Sequence, residues 1–310
     1  MNFRIIFMGS PEFAIPILGA LANQFQVQGV VTQPDRPSGR GRAVTSPPIK
    51  VLAETLDLPV IQPPNLRDPQ TIQKLRNWNA DVIVVAAFGQ ILREDVLNLP
   101  PYGCINVHAS LLPRWRGAAP IQAAILKGDQ QTGVTIMKMD SGIDTGPIIN
   151  QRAIPISTED TAGSLEVKLA QLGAELLVKT LPKYLHGEIH LQPQDEKEST
   201  YAPLLKKGDG ELIFITPARD LAKKVRAFNP WPGTFMNWQG RMLKVHRAYA
   251  IPSSQQTSQS NLKPGTKIIH EGFPGVVTVD GILILTEVQP EGKKLMKGSD
   301  FLRGARGWEA

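Results

Sequence analysis

The sequence predicts an α/β protein with a mostly parallel sheet, followed by a smaller domain of short antiparallel strands. Over the first half of the chain, apolar runs typical of buried strands alternate with segments of helical periodicity. After residue 207 the pattern changes to short strands separated by turns, which is typical of a small β-barrel. With 310 residues, the chain is long enough to form two domains.

The strands of the first predicted domain alternate with helices. Strands are expected at residues 3–8, 28–32, 60–61, 81–86, 104–108, 134–139 and 147–156, and helices at 13–22 and 161–181. The first strand is apolar on both faces after Arg4, which is typical of a parallel strand covered by helices. It leads into GSPE, where the G-x-G-x-x-G fingerprint of dinucleotide sites is absent. We therefore predict a Rossmann-like sheet with helices on both faces and no dinucleotide cofactor.

The strand at 104–108 ends in the first candidate for chemistry. Period-2 alternation places Asn106 and His108 on the same face, near the strand end where open α/β sheets bind their ligands. An amide can donate a hydrogen bond to a developing oxyanion, and an imidazole can exchange a proton near neutral pH. The alternative for His108 alone is a buried histidine whose ring is satisfied by its surroundings.

A glycine-rich loop, MDSGIDTGP at residues 139–147, follows the next predicted strand. Asp144 in this loop is placed to orient His108 and to hold its ring charged. A capped turn is the alternative if the loop is considered alone. Asn106, His108 and Asp144 together predict a catalytic set.

The stretch QPDRPSGRGRAVTSPP, residues 33–48, is expected to form one long loop with three arginines, Arg36, Arg40 and Arg42. Loops of this length in compact domains are usually functional or disordered. Arginines on such a loop suit phosphate contacts that become ordered on binding. A solvated loop without a partner is the alternative.

The second predicted domain carries all of the excess positive charge. A helix is expected at 217–228, and strands at 234–238, 241–248, 266–270, 275–279 and 282–289. Residues 1–206 hold 19 basic and 19 acidic residues, whereas residues 207–310 hold 15 basic and 9 acidic ones, which accounts for the net charge of +6. This asymmetry favours a polyanionic partner, with a merely solubilising basic surface as the alternative.

The composition excludes several classes of protein. No apolar run reaches the roughly 18 residues that a membrane-spanning helix needs, and the first residues lack the pattern of a signal peptide. The single Cys104 cannot form an internal disulfide and is expected to pack in the core, and no Cys/His cluster indicates zinc. We therefore expect a cytoplasmic protein without a metal or a membrane partner, and nothing demands more than a monomer.

The motifs taken together resemble the folate-dependent formyltransferases. N-x-H, SLLPRWRG and D-x-G-x-D-T-G occur in the order and spacing of that family. Further matching segments along nearly the whole chain are FMGSPEFA, VVTQPDRPSGRGR, AAFGQIL, RAFNPWPG and DFLRG. The QPDRPSGRGR and RAFNPWPG segments are similar to the members of the family that act on tRNA.

The resemblance implies transfer of the formyl group of 10-formyltetrahydrofolate to the α-amino group of methionine on initiator Met-tRNA, for translation initiation. In that reaction Asn106 would donate to the oxyanion, and His108 with Asp144 would stabilise the intermediate and help to move a proton. The folate would lie against three stretches, with the predicted contacts Phe88, Gly89, Gln90, Ile91, Leu92, Ser110, Leu111, Leu112, Pro113 and Asp140. The resemblance also implies that the arginine loop enters the acceptor-stem region of the tRNA, and that the second domain is an OB-like barrel.

We therefore predict three parts: a Rossmann-like catalytic domain at 1–188, a polar linker at 189–206 and an OB-like tRNA-binding domain at 207–310. Two other functions stay open. A formyltransferase for a small amine, such as a ribonucleotide or an amino sugar, would share the catalytic set without needing a basic second domain. An RNA-binding protein with a degenerate site would bind no folate.

Overall fold

The computed structural model describes residues 3–38, 43–252 and 262–309. The chain divides into two compact units. The first unit holds Met1–Pro120, Gln131–Pro155 and Glu166–Ala202, and the second holds Ile121–Gln130, Ile156–Leu165 and Pro203–Ala310.

The strands of the first unit form one large sheet and two small pairs. In chain order they are β1 Arg4–Gly9, β2 Gln26–Val31, β3 Arg36–Ser38, β4 Ala43–Thr45, β5 Val60–Ile61, β6 Val82–Ala86, β7 Cys104–His108, β8 Arg116–Gly117, β9 Gln131–Lys138, β10 Ile148–Pro155 and β11 Tyr201–Ala202. The large sheet has the order β10-β9-β7-β6-β1-β2-β5. All neighbours from β7 to β5 are parallel, whereas β9 and β10 are antiparallel to theirs. The predicted mostly parallel sheet is confirmed.

Helices alternate with these strands along the chain. Those of the first unit are α1 Ile15–Gln24, α2 Pro48–Thr55, α3 Pro69–Asn77 and α4 Glu94–Leu97, with short 3-10 helices at Glu12–Ala14 and Glu196–Glu198. After its first residue, α5 Pro120–Lys127 belongs to the second unit, as does the 3-10 helix Lys207–Gly210, and α6 Ala162–Leu185 begins in the second unit and continues in the first from Glu166. Asp68 shows why α3 begins where it does, because its side chain accepts from the N–H groups of Gln70 and Thr71. In the described parts of the chain, no helix is both long and apolar enough to cross a membrane.

The interior strand β1 is buried on both faces, as its apolar run predicts. Ile5, Ile6, Phe7 and Met8 are all fully buried. Burial of this kind contributes about 1.5–3 kcal/mol for each large apolar side chain. It keeps the sheet rigid beneath the loops at its edge.

Replacing Gly29 by alanine is expected to lower the free energy of unfolding by about 1–3 kcal/mol. Gly29 in β2 lies against the ring of Trp78, and a Cβ at Gly29 would overlap three of its carbons. Gly19 in α1 is the matched control, since a Cβ there meets nothing within 4 Å and should stabilise the helix by about 0.5–1 kcal/mol. Urea unfolding of both variants checks this pair. Equal changes in the free energy of unfolding would mean that the Trp78 side chain moves aside without destabilising the protein.

The described part of residues 203–310 in the second unit forms an antiparallel sheet with two α-helices. Its elements are α7 Ala218–Ala227, β12 Thr234–Trp238, β13 Arg241–Pro252, β14 Lys267–His270, β15 Phe273–Val277, β16 Gly281–Pro290, β17 Met296–Lys297 and α8 Gly298–Gly304. The strand order is β12-β13-β16-β15-β14, and β17 pairs with β16. Trp238, Phe301 and Trp308 form an aromatic cluster in its core, with ring centroids 5.0–6.1 Å apart. The predicted small β domain is therefore confirmed.

Residues 33–48 differ from the predicted single loop, because β3 and β4 pair as an antiparallel hairpin. Asp35 fixes the base of the hairpin by accepting from Lys50 Nζ at 2.7 Å and from Gln62 Nε2 at 2.6 Å. Hydrogen bonds to Gln62 and Lys50 also lower the pKa of the Asp35 carboxyl. The two predicted tRNA contacts Arg40 and Arg42 lie outside the described residues.

Residues 189–206 differ from a plain linker. Gln192 exchanges backbone hydrogen bonds with Ile148 at 2.8 and 2.9 Å, and β11 pairs with β8. We call residues 192–202 the docked segment. The side chains of Gln194, Glu196 and Thr200 bind other groups of the first unit, which a composition typical of linkers does not reveal.

Candidate active site

Asn106, His108 and Asp144 lie together, as the motifs predict. Asn106 Nδ2 donates to Asp144 Oδ1 at 3.1 Å. On the same carboxylate, Oδ2 lies 3.6 Å from His108 Nδ1. Asp144 therefore stands between the amide and the imidazole, and the three side chains that the motifs predict to be catalytic form one cluster.

The backbone of Asp144 is strained and is held by a neighbouring loop. Its φ of +52° lies in the left-handed region, which few residues other than glycine adopt. Gly117 N donates to Asp144 Oδ2 at 2.9 Å, so each carboxylate oxygen accepts one hydrogen bond. Gly117 itself has φ +105°, and a Cβ there would lie 2.7 Å from the carbonyl oxygen of Ala202. Only glycine fits this position.

The ring of His108 is fixed by a backbone carbonyl. His108 Nε2 lies 2.9 Å from the carbonyl oxygen of Trp115. A carbonyl can only accept, so Nε2 carries the hydrogen, and Nδ1 faces the Asp144 carboxylate. Trp115 also has a left-handed backbone, with φ +63°. His108 is buried, which limits the water that competes for Nδ1.

Two of the four predicted folate contacts at 110–113 are buried and shape their own loop. Ser110 Oγ donates to the carbonyl oxygen of Arg114 at 2.6 Å, while Thr135 Oγ1 donates to the carbonyl oxygen of Ser110 at 2.7 Å. Leu112 is buried, and its carbonyl oxygen accepts from Gln151 Nε2 at 2.7 Å. Leu111 and Pro113 are partly exposed. The side chains of Ser110 and Leu112 thus order the loop rather than present themselves at its surface.

Residues 88–92 present a mixed surface. Phe88 and Leu92 are buried, Gly89 with φ +80° makes the turn, and Ile91 is 79% exposed. Gln90 Nε2 donates to the carbonyl oxygen of Pro63 at 3.2 Å. Of the three large apolar side chains in this stretch, Ile91 alone is therefore on the surface.

The loop that carries Asp144 also has an exposed apolar side chain, since Ile143 is 60% exposed. Asp140, another predicted folate contact, accepts from Gly142 N at 3.0 Å and from Thr145 Oγ1 at 2.6 Å. These bonds close the loop on itself. The Asp140 carboxylate therefore has a structural role in the loop besides any contact with a ligand.

Cys104 plays no chemical role at this site. The thiol is buried, and burial raises its pKa to about 12. A thiol of that pKa is protonated at neutral pH and is a poor nucleophile. The expectation that Cys104 packs in the core agrees with this placement.

Comparison with known proteins decides the family. The formyl transferase family matches residues 1–181, and the C-terminal domain of formyl transferases matches residues 204–306. This chain belongs to the formyltransferase family. The resemblance inferred from its motifs is confirmed.

Curated members of the formyltransferase family match this chain over nearly its full length. It is 48% identical over 303 residues to the methionyl-tRNA formyltransferase of Myxococcus xanthus, covering 97% of this chain and 95% of the relative. It is 45% identical over 306 residues to the methionyl-tRNA formyltransferase of Citrifermentans bemidjiense, covering 98% and 94%.

A solved formyltransferase shares the fold at low identity. The sugar 3N-formyl transferase WlaRD, crystallised with dTDP and 5-N-formyl-THF, has a TM-score of 0.66 and 18% identity, covering 95% of this chain and 100% of WlaRD. At that identity the likeness establishes the fold alone.

Several groups of this formyltransferase site carry no clear sequence signal. The N–H of Gly117 and the carbonyl of Trp115 are backbone groups, although both lie in the RWRG part of the SLLPRWRG motif. Gln194 also reaches the site from the docked segment, where the polar composition suggested a linker. Arg36, the one described arginine of the predicted tRNA contacts, is exposed and donates to Gln33 Oε1 at 2.9 Å.

Proposed function

We propose that this formyltransferase moves the formyl group of 10-formyltetrahydrofolate to the α-amino group of methionine on initiator Met-tRNA, as a cytoplasmic monomer. The observation that carries the proposal is the near full-length identity of 44–48% with methionyl-tRNA formyltransferases, combined with an assembled catalytic cluster. The attacking amine forms a bond to the formyl carbon, the bond to the folate N10 breaks, and a proton passes from the amine to N10.

Asn106 is proposed to stabilise the oxyanion that forms on the formyl oxygen. One hydrogen of Nδ2 is used on Asp144 Oδ1. The second hydrogen has no acceptor among the described residues, so it is available to a substrate. Its direction is fixed, since the bond to Asp144 holds the plane of the amide, and donors oriented in advance stabilise developing charge most strongly.

His108 is proposed to carry the proton through Nδ1. Nε2 is occupied by the carbonyl of Trp115, which leaves Nδ1 as the nitrogen that can take a proton from the attacking amine. The imidazolium formed in that step would lie 3.6 Å from the Asp144 carboxylate, and the opposite charges attract. Asp144 then acts by orienting and stabilising His108.

The folate is proposed to lie on the loops 88–92, 110–113 and 140–144. Exposed Ile91 and Ile143 offer apolar contacts for a flat heterocycle. The tRNA is proposed to meet the hairpin that carries Arg36, together with Arg40 and Arg42, and the basic second unit. Phosphate contacts there would supply affinity, and the hairpin would supply selectivity at the acceptor end.

Affinity for initiator Met-tRNA is expected to fall at least about tenfold when salt rises from about 50 to 200 mM, because each phosphate contact releases bound counterions. The physical reason lies in residues 207–310, which hold 15 basic and 9 acidic residues. Fluorescence anisotropy with labelled tRNA at several salt concentrations measures the slope. A Kd that stays constant with salt would remove the second unit as an electrostatic tRNA surface.

Formyl transfer in vitro tests the proposed function. Purified protein is mixed with 10-formyltetrahydrofolate and with initiator Met-tRNA, free methionine or an amino sugar nucleotide. Product on Met-tRNA alone supports the proposal. Product on the amino sugar but not on Met-tRNA would keep the catalytic cluster and move the substrate to a small amine. Lack of folate binding would overturn both.

A further inference from the structure

The docked segment carries a side chain that reaches the loop of Asp144. Gln194 Nε2 donates to the carbonyl oxygen of Asp144 at 2.8 Å and to that of Gly146 at 2.7 Å. Both hydrogens of the amide are therefore used, one on each carbonyl. The two bonds hold the backbone from which the Asp144 carboxylate extends toward Asn106.

A buried guanidinium sets the orientation of this amide. Arg116 Nε donates to Gln194 Oε1 at 3.0 Å, and its two terminal nitrogens donate to the Glu196 carboxylate at 2.9 and 2.8 Å. Arg116 is fully buried, and its hydrogen bonds to Glu196 raise its pKa. A guanidinium can only donate, so the oxygen of Gln194 faces Arg116 and its nitrogen faces Asp144.

The tripeptide Trp115-Arg116-Gly117 also holds the cluster of catalytic candidates through its backbone. Arg116 lies between Trp115, whose carbonyl oxygen accepts from His108, and Gly117, whose N–H binds the Asp144 carboxylate. The backbone of this tripeptide thus fixes the side chains of His108 and Asp144. The Arg116 side chain reaches the backbone of Asp144 through Gln194, so the side chain and the backbone of Asp144 are both held by contacts that lead back to this tripeptide.

We infer that Gln194 is a positioning residue for formyl transfer, which holds the left-handed backbone of Asp144 so that its carboxylate stays between Asn106 and His108. Gln194 acts through Asp144 and not on the reacting atoms. The kinetic consequence rests on the proposed function. The structural consequence, a fixed carboxylate at Asp144, does not depend on the substrate.

The variant Gln194→Glu distinguishes a role of Gln194 in positioning Asp144 from a role in the overall stability of the protein. The variant keeps an oxygen for Arg116 and adds an ion pair, so the thermal midpoint should be retained. It loses both hydrogens that bind the carbonyls of Asp144 and Gly146, and its second oxygen would face them. We expect kcat to fall about 10- to 100-fold, the scale that a misplacement of about 1 Å produces, with KM for Met-tRNA unchanged.

Gln192→Glu is the matched control, since it makes the same change of charge two residues away. Gln192 is exposed, and its side chain makes no hydrogen bond among the described residues. Its kcat should equal that of the parent. The inference is overturned if Gln194→Glu turns over as fast as this control.

Amide hydrogen exchange measured by NMR provides a readout that needs no substrate. Gly117 N donates to the Asp144 carboxylate, whereas the flanking amides of Arg116 and Ala118 donate to the backbone of Thr200 and Ala202. In Gln194→Glu, exchange at Gly117 should rise while the two flanking amides keep their protection.

Turnover and amide exchange together distinguish a failure of the proposed function from a failure of the inference about Gln194. A parent protein that formylates no Met-tRNA overturns the proposed function, and exchange at Gly117 still decides whether Gln194 positions Asp144. An active parent with unchanged exchange at Gly117 in Gln194→Glu overturns the inference alone.

Discussion

Asn106→Ala is expected to lower kcat about 10²- to 10³-fold, the usual cost of losing one oxyanion donor. The physical reason is the amide held by Asp144, whose second hydrogen has a fixed direction before the substrate arrives. KM for Met-tRNA should change little, because the donor acts most strongly on charge that exists only in the transition state. Single-turnover formylation at saturating folate measures the loss.

The matched control for this variant is Asn77→Ala, which removes an exposed asparagine at the end of α3. Asn77 accepts one surface hydrogen bond from Gln73 Nε2 at 2.9 Å, so its loss costs little stability and no activity. The thermal midpoint of Asn106→Ala should stay near that of the parent, since Asp144 keeps its bond from Gly117. Turnover by Asn106→Ala at the rate of the control would remove Asn106 from the mechanism.

The sequence was sufficient to place Asn106 and His108 together because the alternation of side chains along a strand is a local property. β7 covers Cys104–His108, the predicted residues, and both side chains meet Asp144. Asp144 was predicted from its loop motif and not from geometry. Its left-handed backbone has no signature in a single sequence, because aspartate tolerates that conformation but adopts it at few of its positions.

Arg116 shows why the supporting contacts could not be predicted. A single arginine in a loop is normally expected on the surface, yet this one is fully buried. Its partners Gln194 and Glu196 follow it by about 80 residues in a polar stretch, and no periodic pattern links such distant polar residues. Burial of the guanidinium becomes favourable only once both partners are in place.

The hairpin at 33–48 illustrates a different limit of prediction from sequence, which concerns very short strands. Its glycines, prolines and arginines predict a loop, and the structure pairs only three residues on each side, Arg36–Ser38 with Ala43–Thr45. Local propensity is weak for strands this short. Hydrogen bonds from Lys50 and Gln62 to Asp35 support the base of the hairpin, and they join residues 15 and 27 positions apart.

Asp144→Asn is expected to lower kcat about 10²- to 10⁴-fold, the range found for groups that support proton transfer. The substitution removes the negative charge 3.6 Å from His108 Nδ1, so the imidazolium that forms during transfer loses its counter-charge. It also places an NH₂ group where either Asn106 Nδ2 or Gly117 N now donates, which leaves one of these donors facing another donor. Pre-steady-state formylation with saturating substrates measures the effect.

Asp57→Asn is a close control, because Asp57 has the same left-handed φ of +52° as Asp144 but is exposed after α2. Asparagine tolerates this backbone conformation about as well as aspartate, so neither variant should unfold on that account. Asp57→Asn should therefore keep full turnover. If Asp144→Asn also kept full turnover, the charge beside His108 would contribute nothing to the reaction, and the proton would have to move without the His108–Asp144 pair. A large loss in Asp144→Asn alone, with an unchanged Kd for tRNA, would assign the carboxylate to the chemical step.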